Sequence, residues 1–171
     1  MLEDAEDGSL WLVENLEKQN GLLILRGLDR LNANLECNHA IVHINSNGGD
    51  MYWALAISDM IRRSRIDITT IVHGNACSAG CLILACGNIR QAEASSTILF
   101  HGSWSSPGWQ KTQDAQRWTE AAVEREKRMC NIMAEKTLKP FEFWWEIVEH
   151  GRDYWMGSEE ALELGIIDKI L

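Results

Sequence analysis

At 171 residues, with 46% hydrophobic and 24% charged side chains, the sequence has the composition of one folded domain spanning residues 1–171, and it is a poor match to disordered or fibrous architectures. Its 25 acids against 16 Lys and Arg give a formal net charge of -9, the wrong sign for tracking a phosphate backbone or an anionic membrane, so neither nucleic acid nor membrane is an expected partner. No run approaches the ~18 apolar residues of a membrane span, and the acidic start Met1 to Asp7 is unlike a signal peptide, so a cytoplasmic location is expected.

Ser9 to Asn20 reads as a short amphipathic helix, and Leu22 to Leu25 as a strand that Gly27 ends. Ala40 to Ile44 is a β-branched strand, followed by Asn45-Ser46-Asn47-Gly48-Gly49-Asp50, a run rich in residues that tolerate positive φ or bond their own backbone. The spacing predicts a helix over Met51 to Arg63, a buried strand over Ile68 to Val72, a helix buried on all sides over Ser78 to Cys86, and a strand over Thr97 to His101. A long helix over Asp114 to Lys136 carries Ala115, Trp118, Ala122, Met129, Ile132 and Met133 as one apolar stripe. Pro140 opens a further helix that Gly151 ends, and Ser158 caps a last short one with Gly165 beyond it. Strands alternating with helices predict an α/β fold with a mostly parallel sheet, in which ligands gather at the carboxyl ends of strands.

The five cysteines, odd in number and set mostly in apolar stretches without a Cys-x-x-Cys pair, read as reduced thiols, with no metal site expected. Three groups follow predicted element ends: the Gly48-Gly49 pair, Ala76-Cys77-Ser78-Ala79-Gly80, and His101. A serine becomes a useful nucleophile when a base takes its proton, a carboxylate holds the base, and N–H donors face the developing oxyanion. Ser78 enters a helix whose first N–H groups are unpaired, and Gly49 can offer its own N–H beside it. Each piece also has a plainer reading: Ser78 as an N-cap, His101 as an ordinary strand-end histidine, Asp153 as a turn acid beside Arg152, and Cys77 as a buried thiol. The order Ser78, His101, Asp153, and alanine two residues before the serine, exclude the α/β-hydrolase, chymotrypsin and subtilisin patterns.

Four segments nevertheless stand in a specific order and spacing: Ile44-Asn45-Ser46-Asn47-Gly48-Gly49, Gly74 to Gly80, Ile98-Leu99-Phe100-His101, and Arg152 to Ala161 followed by Gly165-Ile166-Ile167-Asp168. In these the chain resembles the Clp protease proteolytic subunit (ClpP) family over about Ser9 to Leu171. The resemblance implies the ClpP/crotonase-like fold of repeated strand-strand-helix units with a protruding handle helix at about 114–136. It implies a serine endopeptidase with Ser78 as nucleophile, His101 as base and then acid, Asp153 orienting the imidazole, and an oxyanion hole from the N–H groups of Gly49 and Ala79. Substrate peptide is then expected as an added strand between Gly48, Asp50 and Met51 on one side and Ser103, Trp104 and Ser105 on the other, with no metal or cofactor. Stacked homo-oligomeric rings enclosing a chamber, and a Clp-type ATPase that feeds it, are the partners the resemblance implies.

The chain departs from the family pattern in places. Asn47 stands where proline is usual, which loosens the oxyanion turn; the stretch Leu28 to His43 is too short for the helix that usually precedes the next strand; and the N-terminal loops look shortened. His43, Arg63 and His73 fall where the family has an apolar ATPase-docking pocket, with the two histidines expected on one sheet face as a polar patch. The alternatives within the same resemblance are a non-catalytic or regulatory ring subunit and a phage-type head-maturation protease with a dedicated substrate; crotonase-like acyl-CoA chemistry leaves Ser78, His101 and Asp153 without a shared purpose. Trp104 and Trp109 line the substrate groove or pack at a subunit contact, the contact being the favoured reading.

Overall fold

A computed structural model describes residues 8–103, 108, 109 and 111–171. Strand β1 (Ser9–Val13) leads into α1 (Lys18–Ala33), β2 (His39–Ser46), α2 (Met51–Arg62), β3 (Asp67–Cys77) and α3 (Ala79–Ala85). Then follow β4 (Ile89–Ala92), β5 (Thr97–Phe100), α4 (Thr112–Lys136), α5 (Phe141–Glu149), β6 (Tyr154–Gly157), α6 (Ser158–Glu163) and β7 (Lys169–Ile170). The strands run β1-β2-β3-β4-β7, all parallel, with β5 leaving the row to pair in parallel with β3 and β6 pairing antiparallel with β5. This is the expected α/β architecture with a parallel-dominated sheet.

The first forty residues differ from the sequence reading. Ser9–Val13 is a strand whose Leu10 and Leu12 point inward while Trp11 and Val13 are exposed, a period of two rather than a helical one. The helix begins later: Gly21, Ile24, Leu28 and Leu31 are its buried face, so Leu22 to Leu25 is a helical segment and not a strand. Gly27 does not end anything. It lies inside α1, where a Cβ would come within 2.4 Å of the Leu10 side chain, so its lack of a side chain lets the helix settle on β1. The helix before β2, which the stretch Leu28 to His43 seemed too short to hold, is therefore present and 16 residues long.

Elsewhere the predicted elements stand with small shifts, and three short strands, β4, β6 and β7, are additional. Ser158 opens α6 without capping it; its Oγ donates to the Glu93 carbonyl, and Gly157 holds the cap position. Buried side chains from both sheet faces form one apolar cluster that includes α3 along its whole length. In α4 the stripe divides: Ala122, Met129, Ile132 and Met133 are buried, whereas the first turns are largely exposed apart from half-covered Ala115 and Trp118. Beneath β5, fully buried Trp144 meets Phe100 edge-on at 4.8 Å and donates its indole N–H to Thr137 Oγ1 at 3.1 Å.

Strand β3 decides where the site forms. Over Thr69–Val72 it pairs with β4, and over Asn75–Cys77 with β5, so its end is carried out of the β4 row to the head of β5. Ser78, just past that end, donates its N–H to the Leu99 carbonyl at 2.8 Å, which sets it beside the strand that ends just before His101.

Candidate active site

The β5–β6 ladder pairs Thr97 with Gly157, Ile98 with Met156, Leu99 with Trp155 and Phe100 with Tyr154. Extending that register by one residue sets His101 opposite Asp153, and the Nδ1 to Oδ1 distance is 3.2 Å. The imidazole is largely covered, at 14% exposure, while the carboxylate is 53% exposed. With Nδ1 on the acid, Nε2 is the nitrogen left for a proton from another group. Among the described residues no hydrogen bond joins Ser78 Oγ to that nitrogen, but both side chains line the same cleft of about 570 Å³. Catalytic hydrogen bonds of this kind are often open without substrate and tighten when it binds.

Ser78 is half-buried at the mouth of α3 with φ 53° and ψ -114°. A side chain rarely adopts this backbone, at a cost of the order of 1–3 kcal/mol, and such residues cluster where function demands an orientation. The serine does not cap α3. Its conformation instead opens the helix with the Ala79 N–H at the first position, where no carbonyl of the helix can accept it.

The second donor comes from the glycine turn. Leu16 forms an isolated parallel bridge with Gly49: the Leu16 N–H donates to the Gly48 carbonyl at 2.6 Å, and the Asp50 N–H donates to the Leu16 carbonyl at 2.8 Å. In such a bridge the flanking residues face the partner, so the N–H and C=O of Gly49 itself turn the other way, toward the cleft that Gly49 lines. Both glycines are required by contact. A Cβ on Gly49 (φ 140°) would lie 2.2 Å from the Leu16 carbonyl oxygen, and one on Gly48 (φ 103°) 2.7 Å from Ser78 Cβ and 3.3 Å from the Ala79 nitrogen. The absent side chains thus admit main chain and the serine.

The turn is held without the usual proline. Glu14 donates its N–H to the Asn45 carbonyl at 3.1 Å, Ser46 Oγ donates to the Glu14 carbonyl, and the Gly48 N–H returns to Ser46 Oγ at 3.1 Å. Asn47 is tied across to the next strand by Asn75 Nδ2, which donates to Asn47 Oδ1 at 2.6 Å. The loosening expected from Asn47 is therefore offset by the segment Glu14 to Leu16 and by Asn75, which sequence reasoning missed because the partners are far apart in the chain.

Other predicted residues fall as follows. Asp50, Met51 and Ser103 line the cleft with Ser78 and His101, whereas Trp104 and Ser105 lie outside the described residues. Asp50 also caps α2, accepting the Tyr52 N–H at 2.7 Å. Ser103 is fastened to α4: its N–H and hydroxyl both donate to Glu126 Oε1 at 2.9 Å. Tyr52, Trp118 and Arg125 complete the wall, and none was singled out for the site from sequence, where Trp118 read as part of a core stripe. Cys77 is buried, and burial pushes its thiol above the ordinary value, only partly countered by the contact from Asn75, which is a poor setting for a nucleophile. Trp109 is fully exposed.

His43 and His73 do share one face. Their Nδ1 and Nε2 atoms are 2.9 Å apart, Trp11 stacks on His43 with ring centroids 4.0 Å apart, and His73 Nδ1 is 3.3 Å from Glu93 Oε1. Arg63 is elsewhere, in a cleft with Asp59, Arg62, Glu135 and Lys136. Among the described residues no cluster of three or more His, Cys, Asp or Glu side chains is disposed to hold a metal ion, and no helix is long and apolar enough to cross a membrane.

An α/β protein with a strained serine at a helix mouth, an imidazole oriented by a carboxylate and two main-chain donors beside them has the parts list of a serine hydrolase. Comparison with known proteins narrows that class: the family model described as Clp protease matches residues 5–171, and the chain belongs to that family. It is 31% identical over 164 residues to the ATP-dependent Clp protease proteolytic subunit 2 of Tropheryma whipplei, covering 94% of this chain and 89% of that protein. It is 37% identical over 134 residues to subunit 2 of Chlamydia muridarum and to subunit 1 of Chlamydia felis, in each case covering 76% of this chain and 64% of the relative.

Proposed function

We propose that the chain is a serine endopeptidase that cleaves peptides or unfolded polypeptides through Ser78, His101 and Asp153. Ser78 Oγ attacks the peptide carbonyl as His101 Nε2 takes its proton, and Asp153 stabilises the resulting imidazolium through Nδ1. The carbonyl oxygen, now an oxyanion, is bound by the N–H groups of Gly49 and Ala79. Collapse expels the amine, which takes the proton from His101 and leaves an acyl-enzyme ester on Ser78. Water then attacks that ester, giving its proton to His101, and the carboxylic acid departs as Ser78 is reprotonated. No metal or cofactor takes part in these steps.

The observation that carries the reading is the 3.2 Å His101–Asp153 pair at one cleft with a serine whose φ is 53°. Substrate is proposed to lie as a strand between Gly48, Asp50 and Met51 and the segment from Ser103 through Trp104 and Ser105. Intact-mass analysis after a fluorophosphonate probe tests it: one adduct is expected on the native protein and on Cys77→Ala, and none on Ser78→Ala. An assembled protein that takes no adduct overturns the proposal and favours the non-catalytic ring subunit.

The family name further supports residues 1–171 acting as one cytoplasmic peptidase domain in a homo-oligomer of stacked rings, with α4 as the handle helix. The names of the relatives include "ATP-dependent", which supports a Clp-type ATPase partner. His43 and His73 place imidazoles on the proposed docking face beside the exposed Trp11, so binding of a standard Clp unfoldase is expected to be weak. Tight capture of such an unfoldase, lost on altering His43 and His73, would contradict that expectation.

A further inference from the structure

The catalytic steps leave part of the cleft wall without a task. Tyr52 from α2 and Trp118 and Arg125 from α4 line the same cleft as Ser78 and His101. Arg125 is half-buried there, its guanidinium carbon 4.7 Å from the centroid of the Tyr52 ring. A cation on an aromatic face is held in place while its N–H donors remain directed outward.

The acids around it are engaged elsewhere. Glu124 pairs with Lys127 at 2.8 Å, Glu126 Oε1 receives both Ser103 donors, and Asp50 Oδ1 receives the Tyr52 N–H. Further along α4, Asp114 lies 3.7 Å from Arg117 and Glu120 accepts from Gln116. Among the described residues Arg125 has no carboxylate partner, in a chain whose acids outnumber its Lys and Arg by 25 to 16. A guanidinium without a paired carboxylate, beside the reacting groups and partly shielded from water, offers its free N–H donors to an anionic side chain, with the Asp50 carboxylate on the same cleft wall as the opposing charge.

We infer that this cleft selects peptides carrying aspartate or glutamate within two residues of the cleaved bond, the acid pairing with Arg125 and its methylenes lying against Tyr52 and Trp118. The inference rests on the peptidase reading above and adds the substrate class. A charge-assisted hydrogen bond of this kind corresponds to about a tenfold to a hundredfold preference in kcat/KM over a neutral isostere.

The test is cleavage of a random-sequence peptide mixture by the full-length protein, with cut sites mapped by mass spectrometry and Ser78 labelling by the fluorophosphonate measured on the same sample. Aspartate and glutamate are expected to be enriched about tenfold within two residues of the cut, with the enrichment falling as salt rises. Arg125→Met should lose the enrichment, Arg125→Lys should keep part of it, and Arg125→Glu should move the preference to lysine and arginine. A urea midpoint close to the parent's shows that each variant is folded. Labelling of Ser78 with cuts indifferent to acids, or an acid preference that survives in Arg125→Met, overturns the inference and leaves the peptidase standing. Absence of both labelling and cleavage in the native protein overturns the peptidase reading, and the inference with it.

Discussion

Replacing Gly49 by alanine probes the oxyanion turn with the least chemistry. The new methyl would sit 2.2 Å from the Leu16 carbonyl oxygen and 2.7 Å from its nitrogen, main-chain atoms that no rotamer change can move aside. Gly49 also has φ 140°, a backbone that side chains adopt only under strain of about 1–3 kcal/mol. Relief requires opening the Leu16 bridge, which gives up two hydrogen bonds, from Leu16 N–H to Gly48 and from Asp50 N–H to Leu16, worth about 1 kcal/mol each. The expected loss of stability is therefore about 3–5 kcal/mol. Because the bridge is what turns the Gly49 N–H to the cleft, the variant should also lose one of the two proposed oxyanion donors, lowering kcat by roughly 10² to 10³. Urea unfolding followed by circular dichroism gives the first number. Hydrolysis of a fluorogenic peptide, normalised to the folded fraction, gives the second. A Gly49→Ala protein with the parent's urea midpoint and kcat within threefold would refute the assignment of the Leu16 bridge as the device that aims this donor.

Asp153→Asn should leave the fold intact and reduce kcat by about 10² to 10⁴, toward the lower end because the carboxylate is half in water; peptide kinetics check it, and a change under threefold would remove Asp153 from the relay. Trp144→Ala should destabilise by about 3–5 kcal/mol in urea melts, since it empties the site beneath Phe100 and removes the indole hydrogen bond to Thr137 Oγ1. The Arg90 guanidinium holds the Asp168 carboxyl below the usual carboxylate range, so its contribution to stability is present at neutral pH and is lost as pH falls below about 4, through the depressed folded value. Asp168→Asn should accordingly lower the urea midpoint at pH 7 and flatten its decline between pH 4 and pH 2; an unchanged acid limb would refute the pairing.

Much of the site was legible before any fold was known, because its chemistry is local in the chain. The Gly48-Gly49 pair, Ser78 ahead of a small-residue helix and His101 at the end of Thr97–Phe100 each sit at an element boundary that composition marks. The helices α2, α4 and α5 were equally legible, since each carries an apolar stripe at helical spacing, and α3 was legible as an unbroken run of small and apolar residues. The opening segment misled for the complementary reason: Ser9–Val13 is five residues long, and a short apolar run does not separate a strand from a helix turn.

The amino-acid order by itself thus determined the α/β class and the family, and it supplied the candidate side chains Ser78, His101 and Asp153. Only the tertiary structure decided how they meet. The β5–β6 register brings Asp153 to His101, β3 crossing from β4 to β5 brings Ser78 to the same edge, and Leu16 turns the Gly49 N–H toward the cleft. Trp118 and Arg125 reach that cleft from α4, 17 and 24 positions further along the chain than His101. These are juxtapositions between residues separated by tens of positions, set by strand pairing and packing, and no periodicity within a window of sequence encodes them.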